Sequence, residues 1–364
     1  MSKVISMLSY MKGYYINTYL LLLLMIVVGC GTTRNVDIQT LEPAPVSISN
    51  TIKRIGVIGG KVHLTEEKEQ TGLHQLIYRE NQQLAKEARD AAINGLYNEL
   101  AADRRFDTII LMEDIVQNKK DPELQGNYLN WKTIESLCQV YKVDAIFSLA
   151  YYDSDTRVSL KKTKMEQLNL LRVKEKVAAH QITLETLIEN GWRIYDPANK
   201  LLIDEFTFNN EIVSTAKGLD PYEALQAIED RAKNIVEQST QTGSSYGARL
   251  QPYEHSITRE YYVKCTPIFE QAGVYTSSGD WESAAKLWKK ETENPDSKIN
   301  GKACYNLAIL YERNNNLTTA MDWATRAYSQ YQSKKFAAYI EALKFRMRQN
   351  DLLELQQSES LPSK

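Results

Sequence analysis

Four histidines, His63, His74, His180 and His255, are the side chains most able to move a proton near neutral pH. No two of them lie at helical i,i+4 spacing and no H-E-x-x-H occurs, so they read as lone surface or core histidines. Asp153 and Asp155 flank Ser154, a carboxylate pair of the kind that binds Ca²⁺. The further loop ligands and the turn glycine of a calcium loop are missing, so a polar turn is expected. Gly56 and Gly59-Gly60 follow an apolar run as a phosphate loop would. Lys61 is followed by Val62, so the hydroxyl that completes such a loop is absent. No G-x-S-x-G elbow occurs either. No catalytic set, no cofactor site and no metal site is expected, and the chain reads as a non-enzyme.

The cysteines divide into two kinds. Cys138, Cys265 and Cys304 are odd in number and without C-x-x-C spacing, which argues against disulfides and zinc. Cys138 and Cys304 sit among apolar neighbours and are expected to be buried. Cys30 ends the run Val27-Val28-Gly29-Cys30, behind ten apolar residues from Tyr19 to Val28 whose only preceding charges are Lys3 and Lys12. That run is too short to span a bilayer and suits a signal segment. An aliphatic residue three before the cysteine and a small one just before it match the bacterial lipobox. The thiol of Cys30 would take a diacylglyceryl group and hold the chain to a membrane, with palmitate among its acyl chains. Residues 1–29 are the expected signal peptide. Residues 30–50, with Pro43 and Pro45, read as an extended tether of at most about 65 Å.

Without the first 29 residues the chain carries 42 cations against 46 anions, which gives no basic footprint for nucleic acid. The 364 residues suggest two domains, with ample apolar content for cores. Strands are expected over 52–58, 106–112 and 143–150, with helical periodicity from Leu84 to Leu100 and around Ile134 to Tyr141. Residues 157–164, with Lys161, Lys162 and Lys164, read as a basic loop. Two further strands follow, joined by the turn Asp196-Pro197-Ala198-Asn199-Lys200. Asp220-Pro221-Tyr222-Glu223 opens a helix through Val236, and the Ser, Thr, Gly and Gln of 238–247 read as a linker. The expected fold is α+β, a mixed-sheet α/β sandwich over 51–247, followed by an all-α domain over 258–355.

Within that tail an offset of 36 aligns Ala272 with Ala308, Tyr275 with Tyr311, Ala284 with Ala320 and Gly279 with Asn315. This resembles the tetratricopeptide pattern, with departures at Gln271 and Gln332. Lys335–Asn350 looks like a capping helix. The strand–helix order and the Trp192–Leu202 hairpin resemble the α/β domain of the TolB N-terminal region and the curli-secretion lipoprotein CsgG. Lipobox, Leu41-Glu42-Pro43-Ala44-Pro45, α/β domain and helical tail together resemble an uncharacterised lipoprotein family of the Bacteroidetes. The resemblance implies an envelope location. Gly31–Val36 contains Arg34 and no acid, so the periplasmic face of the outer membrane is expected.

The expected role is a protein–protein interaction or scaffold component of the envelope. The expected partners are the membrane, through Cys30, and envelope proteins or peptides, through the helical repeat. Tetratricopeptide geometry would set Lys302, Tyr305, Ile309, Arg313 and Phe269 on a concave groove. The alternative is that Tyr305 and Phe269 pack against the α/β domain. A second function stays open, a subunit of an oligomeric secretion or assembly complex. The segment with room for pore strands is Val158–Glu189, and Arg157–Val177 is too charged to alternate cleanly. An enzyme with a dispersed site is a third.

Overall fold

The computed structural model describes residues 32–60, 62–63, 72–112, 128–168 and 170–360. Cys30 and the signal segment lie outside the described residues. The protein is mixed α/β, with a mixed sheet and C-terminal helices. It divides into two compact units. One joins Met1–Glu42 to Glu254–Leu352, and the other is Pro43–Tyr253 with Leu353–Lys364.

The α/β unit holds strands β2 (Arg54–Gly59), β3 (Val62–His63), β4 (Thr108–Leu111), β5 (Ala145–Leu168), β6 (Lys174–Asp196) and β7 (Leu201–Gly218). The sheet order is β4-β2-β5-β6-β7, with β3 beside β5. β4, β2 and β5 run parallel, while β5, β6 and β7 are antiparallel. β2 and the start of β5 are apolar because both of their faces are covered. Ile55, Val57, Phe147 and Leu149 face helices α1 (Leu73–Ala102) and α4 (Arg231–Ala248). Ile58 and Ile146 face α2 (Trp131–Tyr141). Asp144 ties the two strand starts together: its carboxylate accepts the Lys53 and Arg54 amides at 3.0 and 2.8 Å and the Arg54 guanidinium at 2.7 Å.

Three expectations fail in this unit. Residues 157–164 are not a loop but part of β5, paired with β6 out to Leu168↔Lys174. The helix from Asp220 stops early, giving α3 (Pro221–Gln226) and then α4, with Asp230 in the left-handed region between them. The expected linker, 238–247, lies inside α4. Its polar residues are there to meet the sheet: Ser239 Oγ bonds the Tyr152 hydroxyl at 2.7 Å, and Thr242 accepts from Asn190 at 3.2 Å. Its glycines let two helices touch. A Cβ at Gly243 would stand 1.8 Å from the Ala92 carbonyl oxygen, and one at Gly95 2.1 Å from that of Thr240. Linker-like composition here is the composition of a close helix contact.

The second unit pairs β1 (Thr33–Glu42) with β8 (Tyr253–Tyr262) in a two-stranded sheet. The expected tether over 30–50 is thus a strand over half its length, with Ile38 buried in the core of this unit. The physical reason is alternation, with Val36, Ile38 and Thr40 turned inward between polar neighbours. Helices α5 (Pro267–Ser277), α6 (Trp281–Glu291), α7 (Ser297–Arg313) and α8 (Leu317–Gln330) follow. Then comes α9 (Lys334–Ser360), longer than the expected cap. Thr266, Asp280, Asp296 and Asn316 each cap a helix through a side-chain oxygen.

Gly243→Ala is expected to lower the melting temperature by several degrees, an overpacking cost of about 1–3 kcal/mol. Helix propensity alone would favour alanine by about 1 kcal/mol. A melting temperature that rises on calorimetry would deny the close α1–α4 approach.

Candidate functional site

The face expected to bind a partner lies on α7 and α5. Small residues along it, Ala303 and Ala308 on α7 and Ala272 on α5, let other elements approach. The elements that approach belong to this unit itself. Tyr305 is only 3% exposed. Its ring stacks on Phe336 of α9 at 4.8 Å and meets Tyr339 and Tyr262 edge-on at 5.0 and 5.7 Å. Phe269 and Ile309 are fully buried. Lys302 lies half-buried, its ammonium 4.7 Å from the Tyr262 ring and donating to Cys265 Sγ at 3.4 Å. Arg313 is exposed, with its guanidinium over the Trp281 ring at 5.1 Å. The five residues do not form an open groove: four of them pack into or line a face that is already occupied.

What occupies the face is β8. Asn306, fully buried on α7, accepts the Tyr262 amide at 2.8 Å and donates to the Tyr262 carbonyl at 2.7 Å. One side chain thereby satisfies both polar groups of a strand residue, as a neighbouring strand would. One turn and a half further on, the buried Glu312 carboxylate takes two bonds from Arg259 of β8, both at 2.9 Å. It takes two more from α9, from Arg346 and the Tyr339 hydroxyl, each at 2.9 Å. Burial pulls the Arg259 guanidinium down, and its bonding to Glu312 more than reverses that. Burial first, then the Glu312 charge, holds the Tyr339 hydroxyl protonated far above its ordinary range. Neither Asn306 nor Glu312 was identified from sequence. The available signal was an amide inside the apolar run Tyr305–Leu310 and a carboxylate two residues past its end, where a polar group needs a partner.

Elsewhere, the described cysteines are free thiols. Burial pushes the Cys138 and Cys304 thiols up to about 11, leaving them protonated at neutral pH. Burial also raises Cys265, against the pull of Lys302. Asp153 and Asp155 stand on β5 rather than in a loop, with Asp153 paired across to Glu189. Among the described residues no group of three or more His, Cys, Asp or Glu is placed to hold a metal ion. The α/β unit has an open cleft of about 870 Å³ between residues 44–53, 103–107 and 250–252. Within it Arg105 and Gln251 both bond Asp103, and Lys53 donates to the Arg105 carbonyl. No described helix is long and apolar enough to cross a membrane.

Tyr305→Ala is expected to destabilise the unit by about 3–5 kcal/mol, visible as a drop of several degrees in melting temperature. Arg313→Ala should barely move it. An unchanged melting temperature for Tyr305→Ala would mean that the face is open after all.

No protein of curated function matches this chain. Among solved structures it is similar to the PelC dodecamer from Paraburkholderia phytofirmans, at 11% identity and TM-score 0.24, over 60% of this chain and 100% of that one. It is also similar to a neuraminyllactose-binding hemagglutinin homolog from Helicobacter pylori, at 11% identity and TM-score 0.26, over 55% of this chain and 83% of that one. Residues 270–346 match the family model described as Domain of unknown function (DUF6340). Residues 52–262, more than half of the chain, match the model described as Domain of unknown function (DUF8603), and the chain belongs to that family.

Proposed function

We propose that this chain is an envelope lipoprotein, anchored through lipid on Cys30 at the periplasmic face of the outer membrane. There it acts as a non-enzymatic scaffold through a tetratricopeptide-like helical unit. The observation that carries the scaffold reading is the recurrence of local geometry at the 36-residue offset. Gly279 and Asn315 both take the left-handed conformation at the turn between paired helices. Asp280 and Asn316 both cap the next helix by accepting from the third residue on. Ala272, Ala308, Ala284 and Ala320 are all fully buried. Repeated helical pairs of this kind serve as binding surfaces in other proteins. Here the inner face is taken by β8, so a partner would use the outer surface, where Val274 of α5 is 68% exposed.

The anchor reading gains from the position of β1. Only Gly31 and Thr32 stand between Cys30 and that strand. A lipid on Cys30 would hold the helical unit within about 10 Å of the bilayer surface. A ring-forming pore subunit is less well supported. Strands that face lipid alternate apolar and polar residues. Between Lys161 and Val177 both faces of the β5–β6 hairpin carry charge, from Lys161 on one and Lys162, Lys164 and Glu166 on the other.

Two measurements test this. Radioactive palmitate should label the wild-type chain and not Cys30→Ala, and label retained by the variant refutes the anchor. A photocrosslinking amino acid at Val274 or Phe345 should give discrete adducts with a second envelope protein in cells. Absence of adducts from both positions refutes the scaffold role, and a uniform ring of eight or more copies by light scattering replaces it with the assembly-subunit reading.

A further inference from the structure

The β5–β6 hairpin outruns the rest of the α/β unit. Helices α1 and α3 pack on its base at Val158, Ile182 and Leu184, through Leu73, Ile77 and Ala224, and among the described residues the last buried one toward the tip is Ala179. β7 leaves it at His180↔Gly218. From Thr163↔Ala179 to Leu168↔Lys174 six cross-strand pairs continue with no third strand, a projection of about 20 Å. Two-stranded ribbons without a covered face are marginal in water. This one ends in apolar residues: Leu168 is 60%, Leu170 104%, Leu171 83% and Val173 58% exposed.

Single exposed apolar residues are ordinary. Here four fall within six positions at the end of a projecting ribbon. Its surroundings are basic. Lys161, Lys162, Lys164, Arg172, Lys174 and Lys176 stand against Glu166 and Glu175. Lys174 has Glu166 at 3.7 Å, between side chains that are both well exposed, a weak pair. The remainder of the chain is left with 38 cations against 44 anions, so the excess of positive charge is local to this tip. An apolar end a few Å deep, with long cationic side chains behind it, matches the depth profile of a membrane interface. Acyl chains take the leucines, and lysine stems reach back to the phosphates.

We propose that the tip of the β5–β6 hairpin is a peripheral membrane-contact element that seats Leu168, Leu170, Leu171 and Val173 in an anionic lipid surface. It rests on the envelope reading only for the presence of a membrane, and it is independent of lipid on Cys30.

The test uses the full chain with a dansyl amino acid at position 170. Phosphatidylcholine vesicles are compared with vesicles of equal size containing phosphatidylglycerol. The dansyl emission should shift to the blue and become quenchable by nitroxide lipid on the anionic vesicles alone. Lys161→Glu, Lys162→Glu and Lys164→Glu together should weaken that shift by about two orders of magnitude in lipid concentration, with the melting temperature unchanged. Three results would overturn the proposal: water-like emission on anionic vesicles, an equal shift on neutral ones, or a shift that follows protein concentration without vesicles and so reports a second copy. Failure of the shift while palmitate still labels Cys30 would remove this element and leave the anchor standing.

Discussion

The pairing of β1 with β8 is the contact on which the helical unit depends. Helices α5 to α9 present an inner face of small and aromatic residues that water would otherwise wet. β8 fills it with Tyr261 and Tyr262, and β1 completes the ribbon from the other end of the chain, adding Ile38 to the same core. The ribbon is stitched along its length: Thr258 donates to Asp37, and Thr40 to the His255 carbonyl. Arg34 reaches past it to the Gly273 carbonyl within α5. A single strand on this face would leave one edge of unpaired amides, which the second strand satisfies.

The polar contacts beneath the ribbon set its position. Asn306 fixes one residue of β8, and Glu312 fixes another through Arg259, while the same carboxylate holds α9 through Arg346 and Tyr339. A buried carboxylate is costly to desolvate and becomes tolerable only when its lone pairs are filled by cations and donors, as here. Such a network adds little net stability over apolar packing. Removing Glu312 leaves the Arg259 and Arg346 guanidiniums without their counter-charge, at a cost of about 3–5 kcal/mol. Register, more than stability, is what it contributes: a two-residue slip of β8 would place Arg259 out of reach.

The parts of this fold legible in the sequence were those written in periodicity. The buried strands around Ile55 and Phe147, the helix through Ala88 and Leu96, the turn at Asp196–Lys200 and the paired alanines of the tail follow from apolar spacing and turn chemistry. The missed parts share a different cause. Thr33–Glu42 has too few apolar residues to look like a strand, because only one face is buried and its partner lies more than 200 residues away. Residues 238–247 look like a linker because close helix contact needs glycine and small hydroxyls, the residues that also make linkers. Tyr305 and Phe269 read from the sequence as groove residues, and both are buried. Whether that groove was open depended on β8, whose docking residues Asn306 and Glu312 carry no motif.

This ordering changes what the N-terminal segment does. Read as a tether it would leave the folded units free to range from any anchor at the N-terminal end. As a strand it belongs to the helical unit, and whatever holds Cys30 holds that unit. The claim is open to direct measurement by hydrogen exchange on the full chain, read at peptide resolution over Thr33–Glu42. The amides of this segment that face β8 should exchange orders of magnitude more slowly than free peptide, in step with those of Tyr253–Tyr262. Exchange across the whole segment at the rate of an unstructured chain would contradict the account.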